Sequence, residues 1–139
     1  KFGSMIKIRI GKKMKGSAVV ILDKNDNILL LLRSKKSRWM PAKWGLPGGK
    51  VESGENSAGA AIRETKEETD LDIEISNLKH LDNYSNEGID MFYASDYSGT
   101  VRIDFEHDDH KWVARQDMSR YSTTPGLAEI FDWILKNER

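Results

Sequence analysis

Ser17–Asp23 (SAVVILD) and Ile28–Arg33 (ILLLLR) are apolar almost throughout, with no polar alternation. Continuous apolarity over so few residues predicts strands covered on both faces. Between them, Lys24-Asn25-Asp26-Asn27 is a turn-rich tetrapeptide, so the pair reads as a β-hairpin. Ser57–Thr69 reads as a helix, with Asn56 or Ser57 as N-cap and Asp70 just beyond its end. Further strands are expected at Ile73–Ile75, extending towards His80, at Met91–Ala94, at the alternating Val101–Phe105 and at Lys111–Ala114. Thr123-Thr124-Pro125 starts a last helix, a cap ahead of a proline at an early helical position. In that helix Leu127, Ile130, Phe131 and Ile134 fall at helical spacing and face the core. Strands mixed with two helices in one short chain imply an α/β layered architecture, although periodicity does not give the strand order.

Composition narrows this picture. A chain of 139 residues favours one domain with one hydrophobic core. We read that domain as residues 5–139, with Lys1-Phe2-Gly3-Ser4 as an expression-tag remnant ahead of an initiator Met5. Acidic and basic residues balance at 22 each, so no global field recruits nucleic acid or an anionic membrane. The absence of cysteine excludes a disulfide, a thiolate zinc site and a cysteine nucleophile, and fits the reducing cytoplasm expected as location. The longest apolar run, Ile28–Leu32, is too short to span a bilayer, and nothing resembles a secretory signal.

The candidate chemistry lies between Gly49 and Leu71, in GKVESGENSAGAAIRETKEETDL. At about 100° per residue, Glu64, Glu67 and Glu68 share an arc of about 100° on one helix face. Ala60 and Ala61 lie on the same face one turn earlier, where small side chains would give a bulky ligand room to approach. Ala58, Ile62, Thr65 and Thr69 form a thin apolar stripe opposite. Three crowded carboxylates repel one another, and the end of a helix is the wrong place for negative charge. Hard divalent cations bound through oxygen would compensate. A solvated acidic face is the ordinary reading of E-x-x-E-E alone. Here Gly49, Glu55 and Arg63 stand in register with it, which solvation does not explain.

Gly49, Glu55, Arg63, Glu64, Glu67 and Glu68 stand at the intervals of the Nudix box, G-x5-E-x7-R-E-U-x-E-E-x-G-U, with U a bulky aliphatic residue. The chain resembles the Nudix hydrolase family, MutT-like members in particular. The approach Trp44-Gly45-Leu46-Pro47-Gly48-Gly49 is similar too, as is a strand with tryptophan after an acidic segment, Glu106 to Trp112. The resemblance implies an α/β/α sandwich with a mixed central sheet and hydrolysis of nucleoside diphosphate derivatives with Mg²⁺ or Mn²⁺. It implies metal ligation by Glu64, Glu67 and Glu68, with the Gly49 carbonyl contributing and Glu67 or Glu68 nearest the attacking water. Arg63 would orient the glutamates, and Glu55 would brace the loop–helix–loop. Two positions depart from the pattern: Thr65 replaces the aliphatic residue and Asp70 the closing glycine. The first predicts a small packing loss, the second a left-handed helix end that Asp tolerates less easily than Gly.

Many members place a further acidic residue outside the box, and Glu106-His107-Asp108-Asp109-His110 supplies candidates, Asp109 or Glu106 foremost; the plain alternative is a polar loop. Arg33, Lys35, Lys36, Arg38 and Lys43 could meet phosphates, or form a solvated loop. Trp39 or Trp44 could stack on a base, or anchor the loop. Subfamily markers downstream of the box are missing: no SQPWPFPxS-like array, and Asn86 near where ADP-ribose pyrophosphatases carry a proline. Short length and absent markers favour a nucleoside triphosphatase releasing NMP and pyrophosphate. The alternatives are an ADP-ribose, nucleotide-sugar or diadenosine polyphosphate pyrophosphatase, and a non-catalytic nucleotide-binding regulatory module. The expected partner is a small-molecule nucleotide, neither membrane nor nucleic acid, with a homodimer left open.

Overall fold

The computed structural model describes residues 15–85 and 88–139; the expected tag remnant at residues 1–4, and Asn86, lie outside them. Among the described residues seven strands form two sheets: β1 (Gly16–Ile21), β2 (Ile28–Arg33), β3 (Trp44–Gly45), β4 (Gly48–Lys50), β5 (Lys79–His80), β6 (Ile89–Ala94) and β7 (His107–Val113). The first sheet has the order β4-β1-β6-β5 and the second β3-β2-β7. The first is mixed, because β1 runs parallel to β6 and antiparallel to β4. Two α-helices accompany them, α1 (Ser57–Thr69) and α2 (Leu127–Asn137).

The uninterrupted apolar runs explain the layering. Val19 and Ile21 of β1, with Leu29 and Leu31 of β2, pack towards Ala61 of α1. Their neighbours Val20, Ile28 and Leu30 pack towards Leu127, Ile130, Phe131 and Ile134 of α2. Each strand therefore buries both faces under a different helix, which makes an α/β/α sandwich. Each such side chain contributes about 1.5–3 kcal/mol by leaving water. The four apolar positions anticipated on α2 are all buried.

Four local expectations are corrected. β1 and β2 do not form a hairpin ladder; only Leu22 and Ile28 bridge beside the turn. Both edges of β1 are taken by β4 and β6, and both edges of β2 by β3 and β7, so neither strand has an edge left for the other. Ile73–Ile75 is not a strand: Ile73 is buried, while Ile75 begins a short 3-10 turn to Asn77, with β5 following. Val101–Phe105 is not a strand either. Val101 and Ile103 reach the core, but the Arg102 N–H donates at 2.8 Å to the Thr69 carbonyl, an orphan acceptor of the α1 terminus. Finally, α2 starts at Leu127, after Gly126 with φ 86°, rather than at the threonines. The Trp44 N–H bonds to Ser122 O and the Thr124 N–H to Trp44 O, so that segment runs beside β3 instead.

Candidate active site

Two glycines of β4 bring α1 against the sheet. A Cβ on Gly48 would stand 2.2 Å from the Ser17 carbonyl oxygen, so no larger residue fits there. The Gly48 N–H is then free to donate to Glu68 Oε1 at 3.0 Å. A Cβ on Gly49 would lie 2.5 Å from Glu64 Cδ, so the Glu64 carboxylate occupies the space that a side chain would fill. The backbone of Gly49 lies in the β1–β4 ladder, opposite Ser17.

The loop before the helix is locked by its own charges. Asn56 Oδ1 caps α1 by accepting from the Gly59 N–H at 2.7 Å. Arg63 donates to both oxygens of Glu55, at 2.7 and 2.9 Å, and to the Lys50 carbonyl at 2.9 Å. Its remaining nitrogen reaches Glu64 at 3.1 Å and Glu67 at 3.2 Å. The bidentate pair holds the Glu55 carboxyl down at about 2, Arg63 being the main cause and the Glu52 N–H the next. At the far end Asp70 takes the left-handed conformation, φ 65° and ψ 13°, with its N–H donating to Lys66 O. Its carboxylate pairs with Lys66 at 3.2 Å.

Glu68 is the buried member of the three, with only 5% of its surface exposed. Glu64 is largely covered, whereas the Glu67 side chain is 56% exposed. Glu68, Asp104 and Glu106 each offer an oxygen within 4.8 Å of the others. Burial pushes the Glu68 carboxyl well above its usual range, against the Gly48 hydrogen bond and with the charges of Glu64 and Asp104 adding to the rise. Burial raises Glu64 too, partly offset by Arg63. A divalent cation would remove this cost, and the all-oxygen donor set suits Mg²⁺ or Mn²⁺. Ser17 Oγ, buried without a hydrogen-bond partner, lines the same cleft. The residues present fit such an ion.

The cleft has a volume of about 770 Å³. Besides Glu64, Glu68 and Glu106, its walls include Lys15, Lys50, Leu46, Met91, Leu127 and Ile130. Trp39 and Arg33 also line it. Arg33 Cζ lies 4.9 Å from the Trp39 ring centre, while its Nε donates to Trp39 O at 2.7 Å and its terminal nitrogen to Ser37 Oγ at 2.7 Å. The guanidinium thus organises the loop and backs the indole, which is 59% exposed.

The expected site residues are therefore distributed unevenly. Gly49, Glu64, Glu68, Glu106, Arg33 and Trp39 meet at the cleft, with Glu55 and Arg63 bracing it from behind. Lys35 and Arg38 are not among the lining residues, and Lys43 donates to Ser122 Oγ at 2.7 Å. Asp109 lies within β7, accepting from the His110 N–H at 2.7 Å, outside the carboxylate group. Trp44 packs edge-on to Tyr121 rather than facing the cleft. Ala60 and Ala61 are fully buried, so they give close helix–sheet approach and not ligand access. Asp104 was hidden by the strand reading of Val101–Phe105. Its position two residues before Glu106 was the available signal. Lys15 precedes β1 and Lys50 ends β4, and neither carries a sequence pattern of its own.

Comparison with known proteins agrees with this geometry. The NUDIX domain family model matches residues 12–134. An uncharacterized Nudix hydrolase, YvcI of Bacillus subtilis, is 28% identical over 127 residues, covering 85% of this chain and 77% of that protein. An 8-oxo-dGTP diphosphatase of Proteus vulgaris is 40% identical over 62 residues, 45% of this chain and 54% of that protein. Among solved structures, a MutT protein from Methanosarcina mazei superposes with a TM-score of 0.70 at 22% identity, over 89% of this chain and 94% of that one.

Proposed function

The chain belongs to the Nudix family and is a hydrolase of nucleotide derivatives, and on that footing we propose that it cleaves a (deoxy)nucleoside triphosphate to the monophosphate and pyrophosphate. Glu64, Glu67 and Glu68 would hold Mg²⁺ or Mn²⁺, with the Gly49 carbonyl and Glu106 as further donors. Bound there, the ion supplies Lewis-acid stabilisation of phosphate oxygens and lowers the pKa of water. Arg63 fixes the helix carboxylates before substrate arrives, so little reorganisation is left for the transition state. A carboxylate of the Glu64, Glu67 and Glu68 set accepts the proton of the attacking water. The water oxygen forms the new P–O bond as the anhydride P–O bond breaks and the pyrophosphate leaves with its electron pair.

One observation carries the reading: a buried carboxylate group opens into a cleft that also holds two lysines and an apolar wall. Lys15 and Lys50 are placed to meet phosphates. Leu46, Met91, Leu127 and Ile130 suit an uncharged ring system, and the Arg33-backed face of Trp39 offers a platform for a base. The activity named for the Proteus vulgaris relative supports a nucleoside triphosphate as substrate.

A product panel over these four substrate classes, with Mg²⁺ and with Mn²⁺, is the test. Monophosphate plus pyrophosphate from a nucleoside triphosphate is expected. Turnover confined to another class would move the substrate assignment, and binding without any turnover would favour a regulatory module. Glu64→Gln, Glu67→Gln and Glu68→Gln should each depress kcat strongly; near-wild-type turnover in all three would sink the catalytic assignment.

A further inference from the structure

β7 begins at a bulge. Leu32 pairs with Asp109 but Arg33 pairs with His107, which leaves Asp108 as the extra residue. Bulges re-aim side chains where a strand approaches a site. Here the His107 side chain is turned inwards, only 4% exposed, with Nδ1 2.8 Å from Asp104 Oδ1. Asp104 is itself only 16% exposed and belongs to the oxygen group with Glu68 and Glu106.

We propose that His107 is a positioning residue whose Nδ1–H holds Asp104 as a cation-facing carboxylate beside Glu68 and Glu106. The inference rests on the hydrolase reading above. A carboxylate has two oxygens and several lone pairs, so accepting from His107 leaves acceptor capacity for an ion. Without that hydrogen bond the Asp104 side chain would be free to rotate away from Glu68 and Glu106. Losing a group that orients a metal ligand typically costs about 10–100-fold in metal affinity. The plain alternative is that His107 only closes the turn. Its backbone N–H does reach the Asp104 carbonyl, but at 3.4 Å. That long bond does not account for a buried imidazole aimed at the carboxylate.

Mn²⁺ titration of the full chain, followed by electron paramagnetic resonance, separates these readings. His107→Leu keeps an apolar filling but removes the donor. His107→Asn presents Nδ2 at the same remove from Cβ as Nδ1 and can still donate. Asp104→Asn keeps an acceptor for His107 and removes the charge. His107→Leu and Asp104→Asn should weaken Mn²⁺ binding by about 10–100-fold, the usual cost of losing such support. His107→Asn should restore most of the affinity. Wild-type affinity in His107→Leu, or His107→Asn as weak as His107→Leu, would overturn the proposal. Should His107→Leu fail to fold, Asp104→Asn decides: unchanged Mn²⁺ affinity overturns it. A wild-type chain that takes up no Mn²⁺ overturns the metal reading as well. Wild-type uptake that neither substitution alters overturns this inference alone.

Discussion

Replacing Thr65 with valine should make the protein more stable. Thr65 is wholly buried on the inner face of α1, and its Oγ1 has no hydrogen-bond partner. Burying a hydroxyl without a partner costs about 1–3 kcal/mol. Valine has the same branched shape with a methyl in place of the hydroxyl, and the two residues have similar helix propensity. The neighbouring bond from Thr69 Oγ1 to the Thr65 carbonyl, 2.6 Å, uses the backbone and survives the change. The expected gain is about 1–2 kcal/mol, since part of the desolvation cost returns as packing adjustment. For a chain of this size that raises Tm by about 3–7 °C. Urea unfolding is the assay: the midpoint should rise at constant m-value, with turnover unchanged. Thr65→Ser is the companion, keeping the hydroxyl and losing a buried methyl worth about 1 kcal/mol. Thr65→Val no more stable than wild type would refute the reasoning, because it would mean that the hydroxyl is satisfied in solution.

Gly49→Ala should leave a folded protein whose turnover falls by about 100-fold, because its Cβ at 2.5 Å from Glu64 Cδ must push that carboxylate aside. Glu68→Gln should raise the metal-free Tm at neutral pH, by removing the cost of keeping protonated a buried carboxyl that the unfolded chain would ionise, while abolishing most activity; a lower Tm would contradict the burial argument. The folded state holds protons on Glu64 and Glu68 more tightly than the unfolded state does. Metal-free stability contributed by these groups should therefore fall as pH rises above about 4.5, the unfolded range, and Mg²⁺ should flatten that slope. Melting curves with and without Mg²⁺ between pH 4.5 and about 9, where Glu68 releases its proton in the folded state, check it. Glu55 has the opposite sign: its contribution is complete above the unfolded value and lost as pH falls through about 2. Arg63→Met should thus shift acid unfolding to higher pH, and an unchanged acid midpoint would argue that the pair contributes nothing.

Sequence alone determined the elements whose cause is local. The apolar runs of β1 and β2 name strands buried on both faces, and the spacing of Leu127, Ile130, Phe131 and Ile134 names the inner face of α2. Helical periodicity ties Arg63, Glu64, Glu67 and Glu68 to one another, and the spacing of the box adds Gly49 and Glu55 to them. Asp70 as a left-handed cap was legible for the same reason. Tertiary structure decided everything that depends on which chain segments meet. It decided that β1 and β2 part into different sheets, since hydrogen-bonding edges are filled by whichever strands arrive beside them. It buried Ala60 and Ala61 where an open face was expected, because a small side chain permits close helix–sheet contact as well as ligand approach. It also brought Asp104 to Glu68 and left Asp109 in the ladder of β7. Side-chain period along a chain cannot foresee a bulge, and one extra residue at Asp108 changes which group meets the carboxylates.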